Sequence, residues 1–227
     1  MPFKTNLIGI ISLLLFFIVF TKVCLPQNES YLDSLDGKFA LQFQISDNFN
    51  LTNFQGTTFS GKYHFSNRDA LRLGLSLDFG DAKLDGQTNQ YDTVNVAKIN
   101  ATQNSFGFIL KAQYIRYLVE TNAIAFFSGV GPFFSYNKTT NETNSEGTPE
   151  DRNYKNTTDG YSVGLDLLLG VEWFFTNNMS LSAEYGLNLM YRSRTNSFES
   201  EVTSGSTHET TYGITGNKIN FGFSVYF

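Results

Sequence analysis

The chain has 227 residues, with 23 Phe, 12 Tyr and 19 Gly against four Pro and one Cys, and a formal net charge of −5. That balance gives no reason to expect nucleic acid, which selects basic patches, and a lone cysteine excludes an intrachain disulfide. No phosphate-loop, dinucleotide-binding or zinc motif is present.

In chain order, Lys4 precedes an apolar run from Leu7 to Phe20, after which polarity returns at Thr21 and Lys22. The run falls short of the ~20 residues of a spanning helix and suits the core of a signal peptide. Residues 1–26 are therefore expected to be a signal peptide, cleaved near Cys24 to Gln27, and 27–37 a short periplasmic N-terminal segment. Cys24 has two readings, a lipid-anchoring cysteine or one discarded with the signal. Thr21-Lys22-Val23 before it lack the small neutral residues that lipidation wants.

From residue 38 to 227 a period of two dominates, in eight segments. Phe39, Leu41, Phe43 and Ile45 share a face, then Phe59, Gly61, Tyr63 and Phe65. In the third segment Leu71, Leu73, Leu75, Leu77 and Phe79 alternate with Arg72, Gly74, Ser76 and Asp78. The fourth sets Phe106, Phe108, Leu110, Ala112 and Tyr114 against Gly107, Ile109, Lys111 and Gln113. The fifth aligns Ile124, Phe126, Val130, Pro132, Phe134 and Tyr136, where Pro132 cannot donate to a ladder. The sixth runs from Tyr161 to Trp173 against Ser162, Gly164, Asp166, Gly170 and Glu172. Leu181 to Tyr191 form the seventh, against Ser182, Glu184, Gly186 and Asn188. The eighth is the terminal "INFGFSVYF".

Tight connections at 66–69, 119–122 and 175–178 alternate with long polar ones around 47–57, 81–103, 137–159 and 193–216. Short turns on one rim and long loops on the other mark a transmembrane barrel. An eight-stranded barrel has an interior just wide enough for side chains. The apolar faces carry far too many Phe, Leu and Tyr to fit there, whereas the Gly, Ser, Asn and Gln face fits. The apolar face therefore meets lipid, and closure leaves no backbone edge in hydrocarbon. The fourth to seventh segments exceed a spanning length, so strands are expected to continue past the membrane on the long-loop side. The fold class is all-β, an eight-stranded antiparallel up-and-down transmembrane β-barrel.

"GVEWFFTNNMSLSAEYGLNL" (170–189), "GVGPFFSY" (129–136) and "INFGFSVYF" resemble small outer-membrane β-barrels of Gram-negative bacteria, of the OmpA/OmpX type with a porin-like outer membrane protein β-barrel domain. The likeness covers roughly residues 37–227. It implies a cell outer membrane location. It also implies that Phe221, Phe223, Val225 and Phe227 form the signal read by the barrel-assembly machinery.

The inward face offers Lys38, Lys62, Arg72 and Lys111 against Asp78, Asp166, Glu172 and Glu184. Their expected role is a charge-paired polar interior rather than an ion pathway, since eight strands leave no room for a pore and buried charges must be paired. His64 lies on that face as a hydrogen-bonded core residue. Ser206, His208 and Glu209 supply the residue types of a hydrolase triad, but so does any Ser/Thr-rich loop. The reading reached is a non-enzymatic, monomeric outer-membrane protein that needs no cofactor or metal. Outer-membrane lipid surrounds it, and loops 81–103, 137–159 and 193–216 are available to an extracellular partner. The alternatives are a small porin-like transporter and a lipid-modifying hydrolase.

Overall fold

Period-two patterning becomes strand because each apolar side chain can face lipid only if its neighbours face the lumen. The computed structural model describes residues 31–50, 55–89, 96–121, 123–146, 153–216 and 219–227. The expected signal peptide and Cys24 lie outside the described residues. A short 3-10 helix, Tyr31–Ser34, leads into nine strands: β1 (Phe39–Asn50), β2 (Gln55–His64), β3 (Asp69–Asn89), β4 (Val96–Thr121), β5 (Ile124–Glu146), β6 (Asn153–Thr176), β7 (Met179–Ser200), β8 (Ser204–Gly216) and β9 (Asn220–Tyr226).

Neighbours pair antiparallel from β1 to β7, β7 pairs with β9, and β9 returns to β1, so the sheet closes. β8 and β9 both lie along β7, β8 against its outer half and β9 against its inner half. They are two parts of one eighth strand, which begins at Ser204 rather than at Ile219.

One row of paired residues defines the stagger. Leu181 faces Phe223, and the row continues through Phe43, Phe59, Leu75, Leu110, Phe134 and Val163 to Tyr191. The circuit thus returns to β7 ten residues from where it left, between 181 and 191. Such shear goes with a strand tilt of about 40°. Every member of the row is apolar or aromatic, as a lipid-facing row must be.

The lipid-facing band ends in aromatic and aliphatic residues at matched positions. On β6 it runs from Trp173 to Tyr161, on β5 from Ile124 to Tyr136 and on β4 from Leu118 to Phe106. At ~3.3 Å per residue and that tilt, each stretch rises roughly 30 Å, the thickness of a bilayer core. Large apolar residues within it are open to the surroundings, such as Leu73 at 58 % and Leu169 at 57 %.

Past the band, β3 to β8 continue as ribbon. Residues 81–103, 137–159 and 193–216, expected as long loops, are strand over most of their described length. They show no hydrophobic period because both faces meet water. What holds them is the backbone ladder together with cross-strand polar pairs. Examples are Thr158 to Asn196 at 2.9 Å and Lys155 to Glu142 at 2.9 Å. The Glu142 hydrogen bond raises the Lys155 ammonium above its ordinary range.

Candidate functional site: a filled lumen below an open ribbon

The lumen is filled by an apolar cluster and by buried charges that meet it. At its base lies an apolar cluster of Ala40, Ala70, Ile115, Tyr117, Ala125, Phe127, Leu168, Phe174 and Tyr226, closed from below by Leu32 and Leu35. The segment read as a periplasmic tail is thus docked from residue 31 onward. The Leu32 amide donates to Glu120 Oε1 at 3.1 Å, and the Asn67 side chain donates to Asp33 at 3.0 Å. The Tyr31 ring stacks on Phe174 with centroids 6.0 Å apart. Gly37, at φ 74°, turns the chain from this plug into β1, a conformation that favours glycine. Gly129 leaves the room that its neighbours occupy: a Cβ there would stand 2.7 Å from Ile115 Cδ1 and 2.9 Å from Leu168 Cγ.

The charges interleave with this cluster and continue past it: along β6, Glu172 lies between Phe174 and Leu168, and Asp166 lies beyond Leu168. Glu172 (β6) is the hub of the first group. Lys62 Nζ (β2) donates to it at 2.9 Å and 3.0 Å, Tyr117 Oη (β4) at 2.5 Å and Tyr226 Oη (β9) at 2.6 Å, and Ser180 (β7) donates as well. Lys62 also lies 5.2 Å from the Tyr226 ring centroid. Arg72 (β3) centres the second group. Its guanidinium donates to Glu184 Oε2 at 2.8 Å and Oε1 at 3.2 Å, to Gln113 at 2.8 Å and to Gln42 at 3.1 Å. Gln44 donates to Glu184 at 2.8 Å, and Gln113 donates to Asp166. Lys111 stands 3.6 Å from Asp166.

Of the eight charges singled out in the sequence, six therefore meet as three pairs of opposite sign. Lys38 and Asp78 do not join them among the described residues: Lys38 sits half-buried before β1, and Asp78 is exposed on β3 opposite Gly107. Pattern reading passed over the neutral members, Gln42, Gln44, Gln113, Tyr117 and Tyr226. Their inward phase was legible in the sequence, but the height of each along the barrel was not. His64 is fully buried and stacks on Tyr117 at 5.5 Å. The hydrogen bond expected of it is absent, since neither ring nitrogen has a partner among the described residues.

The triad-like residues do not converge. Ser206 and His208 alternate with Glu209 along exposed β8, so Glu209 points from the opposite face. His208 Nδ1 pairs instead with Thr195 Oγ1 at 3.3 Å. Phe221, Phe223 and Phe227 are exposed on the lipid side and Val225 is half-exposed, while Tyr226 between them turns inward.

The ring is closed with its apolar face outward, and the family profile described as "Outer membrane protein beta-barrel domain" matches residues 24–227. The chain belongs to the outer membrane protein β-barrel family. Its location is the outer membrane.

Solved structures resembling this outer-membrane barrel are distant in sequence. The attachment invasion locus protein Ail of Yersinia pestis is 11% identical, with a TM-score of 0.38 over 85% of this chain and 99% of that one. CarO of Acinetobacter baumannii is 11% identical, with a TM-score of 0.37 over 86% and 99%. A major outer membrane protein of Thermus thermophilus is 14% identical, with a TM-score of 0.41 over 84% and 98%. No curated protein sequence matches the chain.

Proposed function

We propose that this protein is a non-enzymatic, non-conducting outer-membrane barrel whose work is to hold a rigid polar ribbon at the cell surface. One observation carries the reading: the lumen is filled across its section by Lys62–Glu172 and Arg72–Glu184 and stoppered below by Leu32 and Leu35. Both ion pairs are buried, and the three cations at Lys62, Arg72 and Lys111 face three carboxylates. An ion entering this lumen would have to displace a partner from a buried charge, which costs several kcal/mol. Water-filled barrels need many more strands.

On this reading residues 1–26 direct export, the outward aromatics of β9 address the chain to the barrel-assembly machinery, and the barrel is monomeric in its lipid surround. The transporter alternative requires the charge layer to open. The hydrolase alternative requires Ser206, His208 and Glu209 to converge from two faces of one strand.

Two measurements test the proposal. Folded protein in planar bilayers is expected to give no stepwise conductance, and a glutamate-specific protease added to intact cells is expected to cut at the exposed Glu199–Glu201 tip. Reproducible channels, or a tip cut only after lysis, would overturn it.

A further inference from the structure

Arg116 puts a charge on the lipid-facing side of the barrel. It lies in the outward phase of β4, between Tyr114 and Leu118, and its side chain is 56% exposed. The exposed apolar residues Leu118 and Phe126 lie on its inner side, and Leu71 and Val130 on the side further into the membrane. Arg116 stands one alternate position from the inner end of the band at Leu118, so its long side chain reaches the periplasmic headgroup level. A guanidinium placed there requires acceptors, and the protein supplies only part of them. Nη1 donates to Asp69 Oδ1 at 3.3 Å and to Tyr114 Oη at 3.4 Å. Both contacts are long and both come from one nitrogen, so Nε and Nη2 have no acceptor among the described residues. Asp69 is held through both oxygens. Tyr114 Oη donates to Oδ1, Ser66 Oγ donates to Oδ2 at 3.0 Å, and Phe65 stacks on the Tyr114 ring with centroids 6.2 Å apart.

From this arrangement we infer that Arg116 and Asp69 form a headgroup site for a zwitterionic aminophospholipid of the periplasmic leaflet. The lipid phosphate takes the open edge of Arg116, and the primary ammonium sits against Asp69. The inference is independent of the surface-display reading. Charge complementarity selects the headgroup. Nε and Nη2 make a planar fork that suits two phosphate oxygens. Asp69, held beside that fork, repels a headgroup that carries the phosphate charge alone. A headgroup whose own cation follows its phosphate meets both groups with the right sign. A quaternary ammonium has that sign too, but no N–H to donate to the carboxylate. Asp69 has room for such a donor. Its side chain is 19% exposed, and a carboxylate accepts about four hydrogen bonds, of which Tyr114, Ser66 and Arg116 supply three. The surface beyond takes the rest of the lipid. Leu71 and Val130, each paired with Tyr114, lie one row further into the membrane, where the acyl chains begin.

The test uses the protein folded in detergent micelles and titrated with lipids of identical acyl chains, while native mass spectrometry counts the bound copies. Phosphatidylethanolamine is expected to bind its first site at least about fivefold tighter than phosphatidylcholine or phosphatidylglycerol. Arg116→Gln is expected to weaken phosphatidylethanolamine and phosphatidylcholine alike. Asp69→Asn is expected to bring phosphatidylethanolamine down to the phosphatidylcholine level while phosphatidylglycerol rises. Both variants should keep the heat-modifiable gel shift of a closed barrel. Inorganic phosphate added in excess should displace none of the lipid. Three results overturn the proposal: equal binding of the three lipids by the parent, a preference that neither substitution changes, or displacement by inorganic phosphate. The parent's ranking needs no variant, so a substitution that fails to fold still leaves the proposal open to refutation.

Discussion

The Tyr226 hydroxyl donates to Glu172 Oε1 at 2.6 Å, tying the penultimate residue of the chain across the lumen to the sixth strand. Both side chains are fully buried, and the Tyr226 ring also packs 5.8 Å from Phe174 and 5.7 Å from His64. The closing strand is thus fastened on both faces, by lipid-facing Phe223 outside and by this hydrogen bond inside. Each end of the tie depends on the other, because β9 supplies the donor and β6 the charge.

Replacing Tyr226 with Phe keeps the ring and removes the donor. A hydrogen bond to a buried charged group contributes about 1.5–3 kcal/mol. Urea unfolding in detergent micelles is expected to show a loss in that range with the heat-modifiable shift retained. An unchanged midpoint would mean that Tyr226 acts through packing alone.

Lys62 and Glu172 are expected to behave as a unit. Lys62→Met or Glu172→Gln alone strands a buried charge and is expected to cost about 3–5 kcal/mol. The double variant should recover a substantial part, because a buried pair replaced by apolar or neutral groups is often near neutral. Additive losses in this cycle would refute the coupling.

The plug offers a separate test of what seals the barrel. Leu35→Ala is expected to destabilise by about 2–5 kcal/mol, as for other buried leucines cut to a methyl group. Planar-bilayer recordings of that variant are expected to remain silent, since the charge layer above still fills the section. Conductance appearing in Leu35→Ala would move the seal from the ion pairs to the plug.

Deleting Phe227 removes an exposed lipid-side ring whose backbone amide bonds Phe39 O at 2.8 Å. The finished barrel is expected to lose little stability, while insertion into the outer membrane falls sharply. Quantitative surface labelling against refolding yield in detergent separates the two effects, and normal surface levels would refute an assembly role.

Much of the fold was legible because lipid imposes a strict alternation. Leu71 to Phe79 on β3 and Trp173 to Tyr161 on β6 announce their faces residue by residue. The ribbon was not legible for the complementary reason. Thr158, Asn196 and Ser206 have water on both sides, so nothing in their pattern distinguishes strand from loop. The extra length of the eighth strand, from Ser204 to Gly216, was hidden in the same way. Among the inward residues, the signs of Lys62, Arg72, Glu172 and Glu184 stood out. The neutral donors and the apolar base did not, because Tyr226 and Leu32 look like ordinary members of a strand and a tail.

The sequence alone determined that lipid is the outer solvent, that eight spans alternate in direction, and which face of each spanning segment turns inward. Only the tertiary structure decided which of those inward groups meet. Lys62 and Glu172 are 110 residues apart, and Arg72 and Glu184 are 112 apart. Their meeting depends on the ten-residue stagger of the closed ring, which sets the height of every position. Alternation assigns a face to a residue. Height comes from closure, and closure is a property of all the strands together.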